Sequence, residues 1–182
     1  MNSKLEQELL QKIDHGNESA LEILFEKYYY RLCNFTFQYV RSFDLTEEVV
    51  SDVFLKLWKQ RGNLHTIQYF KAYLYKAARN QSLNYLKKQK GPFQALDETE
   101  DGALSSLAYN PEEKLLFKEL KGQLNYLVDM LPPRRRLIFK LSRMEGFSYK
   151  EIADILSISI HTVQNQMVQA VKQLSKEAFV DK

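Results

Sequence analysis

The sequence of 182 residues contains one cysteine, six glycines and four prolines. A single cysteine, Cys33, excludes a disulfide within the chain and is typical of a protein from a reducing cytosol. Glycine and proline punctuate chains at turns, so their scarcity predicts long regular elements. No useful stretch shows the period of two residues that marks a β-strand. These features predict an all-α protein.

Signals for membranes and for catalysis are also lacking. Residues 1–16 carry charges throughout and do not resemble a signal peptide, and no apolar run approaches the ~18 residues that cross a bilayer. We therefore expect a cytoplasmic protein without direct membrane insertion. The histidines, His15, His65 and His161, show no metal-ligand spacing, and no glycine-rich phosphate loop or nucleophile motif is present. The sequence predicts no metal site, no cofactor and no catalytic residues.

Acidic residues are missing from a long central segment. No aspartate or glutamate lies between Asp52 and Asp97, although the whole chain has a formal net charge of only +3. Nine lysines and arginines fall in this segment. A solvated helix face normally mixes both signs, so the basic block suggests a polyanion as partner. A merely solubilising face is the alternative.

The apolar periodicity and the breaks divide the chain into two helical domains. We predict a four-helix domain over residues 1–92, an acidic flexible linker over residues 93–110, and a helix-turn-helix domain over residues 111–182. In the first domain, Asp44 or Thr46 is expected to cap a helix with one buried face. Its opposite edge presents Glu47, Glu48, Ser51 and Asp52.

The loop and helix that follow interleave aromatic and basic side chains. Aromatic rings stack on unpaired bases while cations hold the phosphate backbone, so the mixture suits single-stranded DNA. We expect some of the tyrosines, notably Tyr73 and Tyr85, to serve mainly in packing. The candidate strand-binding residues are Arg61, Asn63, Tyr69, Phe70, Lys76, Arg79, Asn80, Asn84, Lys87 and Lys88.

The last third of the chain has the pattern of two helices joined by a short turn. Ser148 and Glu151 are spaced as a capping box, and Ser159 can cap the second helix. The expected inward positions of that helix are Val163, Met167, Ala170, Val171 and Leu174. Amides on its outer face can pair with adenine in the major groove. The candidate duplex-binding residues are Arg134, Arg136, His161, Thr162, Gln164, Asn165, Gln166 and Gln169.

Three segments together resemble the extracytoplasmic-function sigma factors, the smallest class of the sigma-70 family. Residues 46–58 resemble the region that docks on the clamp of RNA polymerase, and residues 70–88 resemble the promoter-melting region. Residues 131–174 are similar to the domain that reads the upstream promoter element. The resemblance implies a sigma-2-like and a sigma-4-like domain, and it covers about residues 18–175 in the family's motif order.

The resemblance also implies partners and roles. Glu47, Glu48, Ser51 and Asp52 would bind the polymerase clamp, and the second domain would approach the flap. The loop from Arg61 to Gln68 would capture a flipped base of the −10 element. The basic helix would follow the melted strand, and the helix-turn-helix would face the −35 element. An anti-sigma factor is a common further partner, and polymerase supplies all the chemistry.

One departure from the family pattern concerns affinity. Family members often carry basic residues where this chain has Gln164, Gln166 and Gln169. Fewer phosphate contacts predict weak duplex binding by this domain alone, with a shallow dependence on salt.

Three other functions fit parts of the sequence. A stand-alone helix-turn-helix regulator explains the C-terminal domain but leaves the acidic edge and the aromatic–basic helix without a role. A helical enzyme acting on nucleic acid would need a metal site or a general base in a cleft. A protein-binding adaptor does not explain the segment without acidic residues.

Overall fold

The computed structural model describes residues 2–90 and 126–178, and the chain divides into two compact units, residues 1–95 and 96–182. In the described ranges all regular structure is helical, which confirms the all-α prediction. The predicted linker over residues 93–110 lies outside the described residues, so the domain boundaries stay a prediction. No helix in the described part of the chain is both long and apolar enough to span a membrane.

Residues 2–90 of the first unit form four α-helices and one short 3₁₀ turn. Helices α2, α3 and α4 pack against one another, and α1 packs against α2 and the 3₁₀ turn. The elements are α1 (Asn2–Asp14), α2 (Glu18–Val40), α3 (Phe43–Lys59), the 3₁₀ turn (Leu64–Thr66) and α4 (Phe70–Lys90).

Aromatic pairs join α2 to its neighbours. Phe25 meets Phe54 of α3 with ring centroids 4.9 Å apart, and Phe35 meets Tyr75 of α4 at 4.9 Å. Each such pair contributes about 0.5–1.5 kcal/mol beyond the burial of its apolar area. The aromatic density of the N-terminal half therefore belongs largely to this core.

The start of α3 differs from the sequence prediction. Arg41 ends α2 in a left-handed conformation (φ 52°), and Ser42 follows it as the N-cap, accepting a hydrogen bond from the Leu45 amide at 3.4 Å. The prediction that Asp44 or Thr46 caps this helix was wrong. Thr46 lies in the first turn, is buried, and donates its hydroxyl to the Ser42 carbonyl at 2.7 Å.

The described part of the second unit contains a helical segment at residues 126–129, followed by α5 (Pro133–Arg143), α6 (Tyr149–Leu156) and α7 (Ile160–Ala178). The capping box of α6 is present as predicted, and the Ser159 hydroxyl accepts from the Thr162 amide at 3.0 Å. The core side chains include Val128, Ile138, Leu141, Ile152, Ile155, Val163, Met167 and Ala170.

Val171 is the exception to the predicted inward face of α7, because its side chain is 47% exposed. The buried positions follow spacings of four and three residues from Val163 to Ala170, and the next position on that line is Leu174. Val171 lies about 100° around the helix from Ala170, at the margin of the packed stripe.

Candidate nucleic-acid and polymerase interfaces

The acidic edge of α3 is exposed and held in place by a tyrosine. Glu47, Glu48 and Ser51 are exposed, whereas Asp52 is half-buried. The Tyr85 hydroxyl of α4 lies 2.8 Å from both the Glu48 Oε1 and the Asp52 Oδ2. A carboxylate offers about four acceptor sites, so these bonds orient the groups and leave acceptor capacity for a partner.

The same edge is linked to α4 by a second polar residue. Gln81 donates from Nε2 to Asp52 Oδ2 at 3.0 Å and accepts from the Lys56 ammonium through Oε1. Hydrogen bonding to Asp52, burial and hydrogen bonding to Glu48 raise the pKa of Tyr85, so its hydroxyl keeps its proton. The predicted docking carboxylates and the predicted DNA-binding helix therefore share one hydrogen-bond network.

The aromatic side chains that are buried and those that are exposed on α4 differ from the prediction. Tyr73 and Tyr85 are only half-buried, whereas Phe70 and Tyr75 are 2% and 1% exposed. The prediction that Phe70 presents its ring to DNA was wrong. Its ring lies against Tyr28 of α2, with centroids 6.1 Å apart, so no base can reach it. Tyr69, the preceding residue, is 60% exposed and remains a candidate for stacking.

The polar candidates on α4 are mostly accessible. Asn80, Asn84, Lys87 and Lys88 are exposed, whereas Lys76 and Arg79 are half-buried. Burial raises the pKa of Tyr39 to about 12, and Arg79, which hydrogen-bonds to that hydroxyl, acts in the opposite direction. Arg79 therefore already has a role within the fold, and the exposed residues form the more accessible part of the predicted strand-binding surface.

The loop between α3 and α4 exposes Arg61 and Asn63. The Arg61 guanidinium lies over the Trp58 ring at 4.3 Å and donates to the Trp58 carbonyl at 2.9 Å. Such a cation–π contact is worth about 0.5–1 kcal/mol at an exposed site. The chain has one tryptophan, so its fluorescence reports on this loop and on the first unit alone.

Asp14, the last residue of α1, holds the loop from the other side. Its Oδ1 accepts from the amides of Gly62 and Leu64 at 2.9 and 2.8 Å. Its Oδ2 accepts from the His65 amide at 3.0 Å and lies 2.5 Å from His65 Nδ1. No sequence motif predicted this residue, because Asp14 and its loop partners are about 50 positions apart and follow no local pattern.

Asp14 is expected to stabilise the first unit only while it is ionised. Burial acts to raise its pKa, but hydrogen bonds from His65, Gly62 and Leu64 lower the pKa from 3.8 to about 2. Because the folded pKa is the lower one, the stabilisation is complete above about pH 4 and is lost as the pH falls through 2.

Asp14→Asn should therefore lower the free energy of unfolding of the first unit by about 1–3 kcal/mol at neutral pH. Urea titrations followed by Trp58 fluorescence measure this difference. The gap between the variant and the natural protein should narrow from pH 4 to pH 2. A gap that stays constant over that range would contradict the assignment.

The outer face of α7 presents the predicted polar side chains. His161, Gln164, Asn165 and Gln169 are exposed, and Thr162 and Gln166 are half-buried. Asn165 donates from Nδ2 towards His161 Nε2 at 3.1 Å, which leaves its carbonyl oxygen pointing elsewhere as an acceptor. The Thr162 hydroxyl lies 2.8 Å from that of Ser159, so it already contributes to the cap of the helix.

The three arginines at the start of α5 differ in exposure and in their hydrogen bonds. Arg134 is exposed, as predicted. Arg136 is 6% exposed and donates from Nε and Nη2 to the Leu131 carbonyl at 3.1 and 2.9 Å. The prediction that Arg136 contacts DNA was wrong, because its guanidinium satisfies a carbonyl in the turn before α5. Arg135 ties α5 to α7 through Gln173 Oε1 at 2.8 Å.

Comparison with known families gives two matches in sequence order. The family described as "Sigma-70 region 2" matches residues 24–91, and the family described as "Sigma-70, region 4" matches residues 121–174. The first match covers α3, the loop and α4, and the second covers the helix-turn-helix.

Similar proteins span nearly the whole chain. The ECF RNA polymerase sigma-E factor of Escherichia coli strain K12 is 28% identical over 173 residues, which are 91% of this chain and 90% of that protein. The RNA polymerase sigma-H factor of Pseudomonas aeruginosa is 23% identical over 184 residues, with 97% and 95% covered.

Two solved structures share the fold. CnrH, in complex with the cytosolic domain of CnrY, gives a TM-score of 0.57 at 17% identity and covers 98% of this chain and 99% of its own. The sigma factor RpoE of Bartonella quintana, in complex with the anti-sigma factor NepR, gives 0.53 at 22% identity and covers 88% and 98%.

Proposed function

Because the chain belongs to the extracytoplasmic-function class of the sigma-70 family, we propose that it binds core RNA polymerase and directs initiation at specific promoters. The observation that carries this function is the order of the two family matches, region 2 at residues 24–91 and region 4 at residues 121–174. A stand-alone regulator would need only the second. The protein acts without catalysis or cofactor of its own, in the cytoplasm where core polymerase is found.

The first unit is proposed to dock on polymerase and to hold the melted −10 element. The docking edge consists of Glu47, Glu48, Ser51 and Asp52. It suits a basic partner surface because the first three are exposed and Tyr85 orients the Glu48 and Asp52 carboxylates. The strand-binding surface comprises Arg61, Asn63, Tyr69, Lys76, Arg79, Asn80, Asn84, Lys87 and Lys88. Its aromatic and amide groups contact bases and its cations contact phosphates.

The second unit is proposed to read the −35 element through α7. His161, Gln164, Asn165, Gln166 and Gln169 face the major groove, with Thr162 at the helix start and Arg134 on the phosphate backbone. An amide side chain recognises adenine by donating to N7 and accepting from N6. Asn165 has the acceptor oxygen for this and a second amide hydrogen beside the one directed at His161.

Asn165→Ala is expected to change base preference at one position of the −35 element and to leave melting unchanged. Loss of a base contact should lower affinity for the preferred base by about 1–3 kcal/mol. Transcription from a promoter library with randomised −35 positions measures the preference. Val171→Ala, an exposed apolar position on the same helix, is the matched control. An identical preference in both variants would show that Asn165 is not a reading residue.

An anti-sigma factor is proposed as the regulatory partner. The structural relatives were solved with bound partners, and one of these is named as an anti-sigma factor. If this chain is regulated in the same way, deletion of its anti-sigma factor should raise transcription of the target genes. Unchanged transcription after deletion of a candidate would reject that candidate.

The test of the proposed function is transcription in vitro from fragmented host DNA, using host core polymerase with and without this protein. Discrete transcripts that depend on the protein are expected. If folded protein yields none, and it instead shifts duplex DNA without polymerase, the stand-alone regulator is the better description.

A further inference from the structure

We infer that Asp14 is a positioning residue for −10 recognition, and that its carboxylate fixes residues 61–66 in the shape that captures an unpaired base. The inference rests on the proposed function of this loop. It concerns a residue of α1, which precedes the segment matched by region 2 at residues 24–91.

The Asp14 carboxylate accepts as many hydrogen bonds as its two oxygens can take. Its side chain is 6% exposed, and each of its two oxygens accepts two hydrogen bonds from the loop. Three of these four donors are backbone amides, so the carboxylate sets the path of the main chain and not only the place of one side chain. A carboxylate has about four acceptor sites, and here the loop uses all of them.

Glycine at position 62 makes this arrangement possible. Gly62 has a φ of 126°, in the region that side chains disfavour, and in this conformation its amide donates to Asp14 at 2.9 Å. At the far end of the loop, Gln7 donates from Nε2 to the Ile67 carbonyl at 2.9 Å. Helix α1 thus contacts the loop at Gly62–His65 and again at Ile67, while Arg61 and Asn63 remain exposed.

Holding the loop before DNA arrives should favour recognition. A loop that is already ordered loses less conformational entropy on binding, and it presents one arrangement of donors and acceptors to the base. An untethered loop would sample several arrangements and distinguish bases less well. Base discrimination is therefore the property that separates a positioning role from a purely stabilising one.

The experiment compares Asp14→Asn with Glu6→Gln in the full chain bound to core polymerase. Glu6 is the matched control, since its carboxylate also lies on α1 but accepts from Lys27 at 2.6 Å and from the Tyr28 hydroxyl, away from the loop. Two readouts are taken: hydrogen exchange of the loop amides in the free protein, and affinity for forked promoter DNA with each base at each −10 position.

Asp14→Asn should accelerate exchange of the Gly62, Leu64 and His65 amides and lower base discrimination at one −10 position, each by about tenfold. The variant keeps one neutral acceptor oxygen but places an NH2 group opposite donors of the loop, so it loses the charge and at least two of the four hydrogen bonds. Affinity for core polymerase should stay within about twofold, and Glu6→Gln should leave both loop readouts unchanged. If Asp14→Asn does not fold, His65→Phe is used as the test. This variant removes one of the four donors to Asp14 and should lower base discrimination by less than Asp14→Asn would.

Three results would overturn the inference. Unchanged amide exchange would show that Asp14 does not order the loop. Faster exchange with unchanged discrimination would restrict Asp14 to stability. If Asn63→Ala and Arg61→Ala also leave base discrimination unchanged, the loop does not read bases and its proposed role fails. The positioning role of Asp14 then fails as well, even if Asp14→Asn accelerates amide exchange.

Discussion

Asp52→Lys is expected to lower the affinity of this protein for core RNA polymerase by at least about 100-fold, the equivalent of two steps of about 1.4 kcal/mol. The substitution reverses one charge of the docking edge, at the half-buried Asp52. Like charges brought together at an interface cost several kcal/mol, and the edge would then face a basic partner with a cation. The measurement is a titration of fluorescently labelled core polymerase at fixed ionic strength.

Two further variants separate docking from folding. Asp52 accepts from Tyr85 and Gln81, so its replacement also disturbs the packing of α3 on α4. Asp52→Asn keeps the shape and an acceptor oxygen and should lose less affinity than Asp52→Lys. Glu22→Lys applies the same charge reversal at an exposed position of α2 and should bind core polymerase normally. If Asp52→Lys is folded and binds as tightly as Glu22→Lys, the docking assignment is wrong.

Lys87→Glu is expected to reduce open-complex formation by at least about tenfold while affinity for core polymerase changes by less than twofold. Lys87 is exposed near the end of α4 in the segment that lacks acidic residues. Removing one phosphate-binding cation from a single-strand complex should reduce the slope of log affinity against log salt by about 0.7. Permanganate footprinting of a promoter, repeated over a range of salt concentrations, measures open-complex formation and its salt slope. The titration of labelled core polymerase measures the affinity for core polymerase.

Asn80→Ala should behave differently from Lys87→Glu on the same helix. Asn80 is exposed and uncharged, so its removal should weaken the open complex through a base interaction worth about 1–3 kcal/mol and leave the salt slope unchanged.

Lys4→Glu, an exposed charge reversal on α1, is the control for the change in overall charge that Lys87→Glu makes. Equal effects of Lys87→Glu and Lys4→Glu would show that net charge, and not a strand-binding surface on α4, governs melting.

The sequence predicted several local features of the second unit correctly. Ser148 and Glu151 cap α6 as their spacing indicates, and Ser159 caps α7. These features depend on hydrogen bonds between residues three positions apart, so neighbouring letters of the sequence contain the information. The family resemblance, which rests on ordered motifs, was confirmed by both region matches.

Side-chain accessibility was predicted less well, because periodicity describes one helix and accessibility depends on what packs against it. Phe70 was a plausible stacking residue, but in the fold its side chain is buried and its ring makes an edge contact with Tyr28 of α2. Arg136 was a plausible phosphate-binding residue until the turn before α5 brought the Leu131 carbonyl to its guanidinium. Helical periodicity could not predict the contact of Phe70, because Tyr28 lies on another helix. It could not predict the contact of Arg136, because the Leu131 carbonyl lies in a turn whose path periodicity does not fix.

The sequence by itself determined the helical class of the described residues, the caps of α6 and α7, the basic segment and the family of this protein, because those depend on residue type and short spacing. Only the tertiary structure decided which candidates reach solvent and which residues order the candidate site. Asp14 and His65 meet across 51 positions of sequence, and Tyr85 and Asp52 across 33. Such hydrogen bonds form because packed helices bring distant residues within range of one another, and no local pattern of side chains specifies them.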